Sequence, residues 1–202
     1  MIQTPDFRYP IGTVRALMDG EHVTASTRAA LQARLAGAAA THGDVLGKRV
    51  ALLAAVCSRL VPQTTSAPID LAGTLHARLA TGIGNGWRYA DLPPDSAAFR
   101  RGLDGIDETA QAMFETSFIS LVTVDQDAVL SAVQTGAPHG ASWRALPAAR
   151  FFETLLVAVV ETYYAHPLAQ EEIGYVGMAD APGWHAIGLG EREMREPAEI
   201  AN

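Results

Sequence analysis

The sequence predicts an all-α protein: a single domain of about six helices, with a long aromatic and Gly-rich loop region near the C-terminus. Three observations carry that prediction. Apolar residues recur at three- and four-residue spacing in one segment after another. No stretch alternates apolar and polar residues over the length a half-buried strand needs. Pro62, Pro68, Pro94 and Pro147 stand at the edges of the periodic segments, where proline stops or opens a helix. The chain of 202 residues is 49% hydrophobic and only 18% charged, enough to bury one sizeable core.

The expected organisation is an irregular N-terminal arm over 1–23, a helical domain over 24–190 and a tail over 191–202. The arm is broken by prolines, with Phe7, Tyr9 and Ile11 as anchors. Ser26 or Thr27 caps a first helix running to about Ala40, before Gly43 and Gly47 interrupt. Val50, Leu53, Val56, Cys57 and Leu60 form one stripe on the next helix, which Pro62 ends. Pro68 suits the first turn of a third, along which Leu71, Leu75 and Leu79 repeat every four residues. His76 sits beside that stripe, at the helix surface or core edge. The Gly82–Gly86 stretch is a loop, because a phosphate-binding fingerprint needs a strand before it and a helix after it.

Asp95 and Ser96 favour the start of a five- or six-turn helix marked by Phe99, Leu103, Ile106, Ala110, Met113 and Phe114. Gly102 and Gly105 weaken it by about 1 kcal/mol each relative to Ala, and their lack of side chains leaves room for close approach of another helix. Thr123 and Gln126 have capping-box spacing, so a helix begins near Val124 and ends before Gly136. Pro147 opens the most apolar helix, with Phe151, Phe152, Leu155, Leu156, Val159, Val160 and Tyr163 on nearly every face. That distribution places it centrally.

Composition also excludes functions. A formal net charge of −7 with scattered basic residues argues against nucleic acid as a partner. The single cysteine, Cys57, rules out an internal disulfide or a Cys-ligated cluster and reads as a buried structural thiol. The first twenty residues lack a secretory or twin-arginine pattern, and Leu155–Val160 is far short of the ~20 residues that span a bilayer. The expected location is therefore cytoplasmic as the sequence stands, or periplasmic if a partner's export signal carries it. No HExxH, GxSxG or Cys–His arrangement occurs. The grouped Asp104, Asp107 and Glu108 read as a solvated helix face. Glu161 and His166, with Glu171, Glu172 or His185, could ring a metal of the oxygen/nitrogen class; the other reading is that Glu161 faces solvent or caps a loop amide and His166 sets the turn before Pro167.

The most informative stretch is ETYYAHPLAQEEIGYVGMADAPGWHAIGLG, residues 161–190. Tyrosine and tryptophan are over-represented at binding hot spots, because they bury large faces while keeping one polar atom for a partner. Its glycines permit close backbone approach. Two readings stand side by side: a recognition surface, and a loop folded back over its own long helix.

Three regions in order resemble the gluconate 2-dehydrogenase subunit 3 family. They are LLAAVCSRLVPQ; GLDGIDETAQAMFETSFISLVTVDQDAVLSAV; and ETYYAHP with the later GYVG and GWHAIG, together spanning about residues 45–190. The resemblance implies a non-catalytic small subunit with no cofactor of its own. Its partner is a large FAD-containing subunit of the glucose–methanol–choline oxidoreductase type, which oxidises a sugar or polyol, and a separate haem subunit can take the electrons onward. The small subunit binds and stabilises that flavoprotein. The chain departs from the family in lacking the common export signal and in reading AHPLAQEE where relatives have an Asp-Pro step and a Gly-Gly-Asn turn. The expected partner-facing or loop-fixing residues are Tyr163, Tyr164, His166, Pro167, Tyr175, Trp184, Ile187 and Gly188. The alternatives are a free-standing metal enzyme using Glu161, His166 and His185, and an assembly chaperone that leaves the mature complex.

Overall fold

The computed structural model describes residues 8–37, 43–65, 67–82, 84, 86–178 and 183–200; Phe7, Ala40 and His42 lie outside that set. Its order is α1 (Thr13–Met18), α2 (Ala25–Leu35), α3 (Arg49–Leu60), α4 (Leu71–Thr81), α5 (Asp95–Phe114), α6 (Thr123–Gln134), α7 (Ala148–Tyr164) and α8 (Pro167–Glu172). Short 3-10 turns cover Phe118–Ser120 and Ser142–Ala145. No strand occurs among the described residues, so the all-α expectation holds. The chain clusters into two compact units, one of residues 38–63 and 70–162, the other of 1–37, 64–69 and 163–202.

In the first unit the apolar stripes become a core. Leu53 and Val56 of α3, Leu75 of α4, Leu103 and Ile106 of α5, Val129 of α6, and Phe151 and Leu155 of α7 are all fully buried. The close approach foreseen at the two α5 glycines is real. A Cβ on Gly102 would lie 2.1 Å from Cζ of Phe151, and one on Gly105 would lie 2.5 Å from the Trp143 ring. The Trp143 indole Nε1 donates to the Gly105 carbonyl (3.1 Å) and to Thr109 Oγ1 (3.0 Å). The buried Thr109 hydroxyl in turn donates to the carbonyls of Gly105 and His139, both at 2.8 Å, so no polar group in this contact is stranded.

Several local expectations are corrected. Thr24, not Ser26 or Thr27, caps α2, accepting from the Thr27 amide, and α2 ends at Leu35. Asp70 caps α4, so Pro68 precedes the helix. α6 starts at Thr123 with Val122 as its cap, which makes no side-chain hydrogen bond. Gln126 is instead buried and donates its amide to the Phe118 carbonyl at 3.0 Å. The α5 acids do more than face solvent. Asp104 pairs with Arg49 at 2.6 and 2.8 Å, Asp107 accepts from the Phe118 amide, and Glu108 accepts from the Ser142 amide and hydroxyl. They fasten α3 and two loops to α5. On α7 the apolar surface is not continuous: Glu153, Val157 and Glu161 form an exposed i, i+4 stripe with Val157 its apolar member.

The second unit holds the two helices that sequence spacing did not reveal. The stretch expected to be irregular up to residue 23 contains α1, which buries Val14 and Met18. The stretch expected as a long loop contains α8. The carbonyls after α1 are satisfied by Arg28, whose guanidinium donates to Met18 O, to Gly20 O (2.9 Å) and to Val23 O (3.1 Å). Tyr9 does act as an anchor, its ring lying 2.8 Å from where a Cβ on Gly174 would stand, whereas Ile11 is exposed. Gly174 also has φ +63°, so that position strongly favours glycine twice over.

Candidate functional site

The end of α7, α8 and the following chain bring the aromatic residues together in sequence order but give them different jobs. α7 stops at Tyr164, because His166 has extended backbone and Pro167 cannot continue the hydrogen-bond ladder. Pro167 then takes the first-turn position of α8, and the His166 imidazole caps that helix: Nδ1 accepts from the Leu168 amide at 3.2 Å. Acting as an acceptor requires the neutral ring. Burial pushes the His166 pKa below its ordinary value, opposed by a backbone contact near Arg34 and reinforced by that residue's charge. Arg34 donates to the neighbouring Ala165 carbonyl at 3.0 Å.

α8 is tied down by its two glutamates. Glu171 is 3% exposed. Its carboxylate accepts from the Gly12 amide (2.8 Å), the Arg15 amide (3.1 Å) and the Arg15 guanidinium (3.0 and 3.1 Å). Burial would raise the Glu171 pKa, but the Arg15 contacts and the Gly12 amide outweigh it, and the net shift is downward. Glu172 accepts from the Tyr163 hydroxyl at 2.6 Å. Burial, followed by that carboxylate, holds the Tyr163 phenol above its ordinary range. Tyr163 is therefore a buried brace. Tyr164, edge-on to it at 5.1 Å, is exposed. Pro167 is buried as well and shapes the turn.

Beyond α8 the exposed residues accumulate. Tyr175 and Ile173 are about half exposed and Trp184 is 45% exposed. Arg195 lies over the Trp184 ring with its guanidinium carbon 4.6 Å from the centroid. Glu193 accepts from the His185 amide and from the Ala186 amide (2.9 Å); those amides hold its pKa below the usual carboxylate range. The Gly188 amide donates to Glu191 at 3.0 Å. Residues 184–196 thus form a loop bracketed by its own side chains, while Ile187 is 83% exposed and Leu189 and Met194 project fully into solvent. Leu189 and Met194 were not singled out in the sequence, because nothing in their spacing marks them.

No group of three His, Cys, Asp or Glu side chains among the described residues is placed to hold a metal. His166 Nδ1 and the Glu171 and Glu172 carboxylates are committed as above, and Glu161 stands 3.8 Å from Arg78. Cys57 is buried in α3, its thiol pushed up to about 12 by burial and then by Asp70, as suits a structural residue. No helix among the described residues is long and apolar enough to cross a membrane.

The sequence model of gluconate 2-dehydrogenase subunit 3 matches residues 48–183, well over half of the chain, and the chain belongs to that family. Tyr163, Tyr164, His166, Pro167 and Tyr175 fall inside the matched range, whereas Trp184, Ile187 and Gly188 fall just beyond it. No curated protein and no solved structure matched the chain.

Proposed function

We propose that this chain is the non-catalytic accessory subunit of a sugar or polyol dehydrogenase complex, and that it binds and stabilises the FAD-containing catalytic subunit. The partner is a large flavoprotein of the glucose–methanol–choline type, which holds the flavin and abstracts the hydride; a haem subunit serves as electron acceptor where present. The chain itself brings no cofactor. The observation that best supports this reading is the bracketed tail loop. Glu193 and Glu191 hold the His185, Ala186 and Gly188 amides while Trp184, Ile187, Leu189 and Met194 remain exposed. Apolar side chains held outward on an ordered loop gain free energy only when something covers them, at roughly 25 cal/mol per Å².

Tyr164, Tyr175, Trp184 and Ile187 serve as contact residues on this reading. Tyr163, His166, Pro167 and Gly188 fix the turns that present them. The test is co-purification with a co-expressed FAD-containing subunit of the glucose–methanol–choline type, for wild type and for Trp184→Ala and Ile187→Asp. Both variants should keep wild-type helix content and lose at least tenfold in affinity for the flavoprotein. Undiminished co-purification would reject the tail as the interface. Dye-linked sugar oxidation by the pure chain alone would reject the non-catalytic assignment.

A further inference from the structure

Past α8 the chain changes the way it holds its shape. Val176 is the last described residue with a buried side chain, and no residue in 183–200 is buried. Burial of apolar surface, the main source of order in the helices, therefore contributes little there. Carboxylates hold the segment instead. Glu193 accepts from the His185 amide and, at 2.9 Å, from the Ala186 amide. Glu191 accepts from the Gly188 amide at 3.0 Å, and Glu196 from the Glu193 amide at 2.6 Å. Glu199 pairs with Arg8, whose carbonyl also accepts from the Ile200 amide at 2.8 Å.

The ties that carry no acid are short in reach. The Glu191 amide donates to the Gly188 carbonyl (3.1 Å), the Glu196 amide donates to the Glu193 carbonyl (3.0 Å), and Arg195 lies over the Trp184 ring. Closure of the loop from 185–186 onto 193 is the work of the Glu193 carboxylate. A protonated carboxyl is a weaker acceptor than the ion and carries no charge for an arginine. The Ala186 amide, then the His185 amide, hold the Glu193 pKa below its ordinary 4.5 against slight burial, with Arg195 and the His185 ring pulling the same way. The Glu196 carboxylate stands on the other side, on Glu193's own amide. Arg8 lowers the Glu199 pKa in the same manner. With the folded pKa depressed, each tie contributes in full above the ordinary value and is lost as pH falls through the folded one. The helices have other support: α1 and α8, joined by Glu171, also bury Val14, Met18 and Ala169, and the α3 to α7 core is apolar.

We propose that residues 184–200 are an acid-released element: at neutral pH their glutamates hold Trp184 and Ile187 in the arrangement that docks, and protonation of Glu193 and Glu199 lets the segment go slack while the helices stay folded. This supplies a regulation of the tail interface, and its consequence for binding rests on the accessory-subunit reading. A loop that holds its docking shape a tenth of the time binds about tenfold more weakly. The first arm of the test follows amide heteronuclear NOEs of the full chain from pH 7 to pH 3, beside far-UV circular dichroism. The values for 184–200 should collapse below about pH 4.5 while those of α3 and α5 hold. Glu193→Ala should release the segment already at pH 7, and Glu193→Gln, which keeps an acceptor but does not titrate, should flatten the pH profile. A wild-type segment that is slack at pH 7, stays ordered at pH 3 or melts together with the helices overturns the proposal, as does a Glu193→Ala segment as ordered as wild type. The second arm measures retention of the co-expressed FAD-containing subunit at pH 7. Glu193→Ala should retain it about tenfold more weakly; retention equal to wild type overturns the regulation and leaves the accessory role intact. If the wild-type chain holds no flavoprotein, the accessory-subunit reading falls, while the NOE profile still decides the acid release.

Discussion

Replacing Gly102 with alanine inverts the usual rule for helices. In an exposed helix interior the change stabilises by about 1 kcal/mol, because alanine has less backbone freedom to lose. Gly102 lies buried inside α5, and a Cβ there would meet Cζ, Cε1 and Cε2 of Phe151 at 2.1, 2.3 and 2.4 Å. Carbon atoms rest at about 3.5–4.0 Å, so the ring or the helix must retreat by roughly 1.3 Å or more. Phe151 cannot swing aside freely. It is fully buried, edge-on to Phe99 at 5.9 Å and against Trp143 at 5.9 Å. Overpacking typically costs about 1–3 kcal/mol, and losing a buried Phe outright about 3–5. A forced retreat falls between them, and subtracting the propensity gain leaves a net loss of about 2–3 kcal/mol. For a chain of this length that is a fall in Tm of roughly 4–12 °C by calorimetry or circular dichroism. Pairing Gly102→Ala with Phe151→Leu should give a double variant less damaged than the sum of its parts. A Gly102→Ala protein that melts at or above the wild-type temperature would refute the close-approach argument.

Further outcomes follow from the ties within the second unit. Glu171→Gln keeps an acceptor for the amides but loses the charge facing Arg15, and should cost about 2 kcal/mol; because the folded pKa of Glu171 is depressed, its contribution is complete above the ordinary Glu value of 4.5 and fades as pH falls below it, so wild-type and variant melting curves should converge in acid. His166 is also depressed, so the neutral cap is fully stabilising above the ordinary His value of 6.5 and weakens as pH drops through the folded pKa. His166→Asn, which can still cap a helix, should flatten that pH dependence with little loss at pH 8, whereas His166→Ala should lose about 1 kcal/mol there. Cys57, with its thiol pushed up to about 12, should resist maleimide labelling at pH 7.5 in the native protein and label stoichiometrically in denaturant.

The long helices were legible because each carries its own evidence. Leu53, Val56 and Cys57, or Leu71, Leu75 and Leu79, state which face is buried before any neighbour is known. α1 and α8 were not legible, for a physical reason: helices of six residues are too short to persist on propensity. They are held by Glu171 reaching Gly12 and Arg15, by Arg28 on the carbonyls after α1, and by an imidazole cap. Those partners leave no periodic mark. The same holds for Trp143 over Gly105. The capping-box spacing at Thr123 misled because Gln126 had a stronger use, satisfying the Phe118 carbonyl in the interior.

The Glu171 contact carries a consequence for how the polypeptide is made. Gly12 and Arg15 leave the ribosome more than 150 positions ahead of the carboxylate that receives them. At about 5–20 residues per second, that lag lasts roughly 8–30 seconds. Through that time the Gly12 and Arg15 amides lack this acceptor, and only synthesis of α8 lets the contact close. A binding partner present during translation would therefore meet an open N-terminal segment, and one arriving afterwards would meet a fastened one.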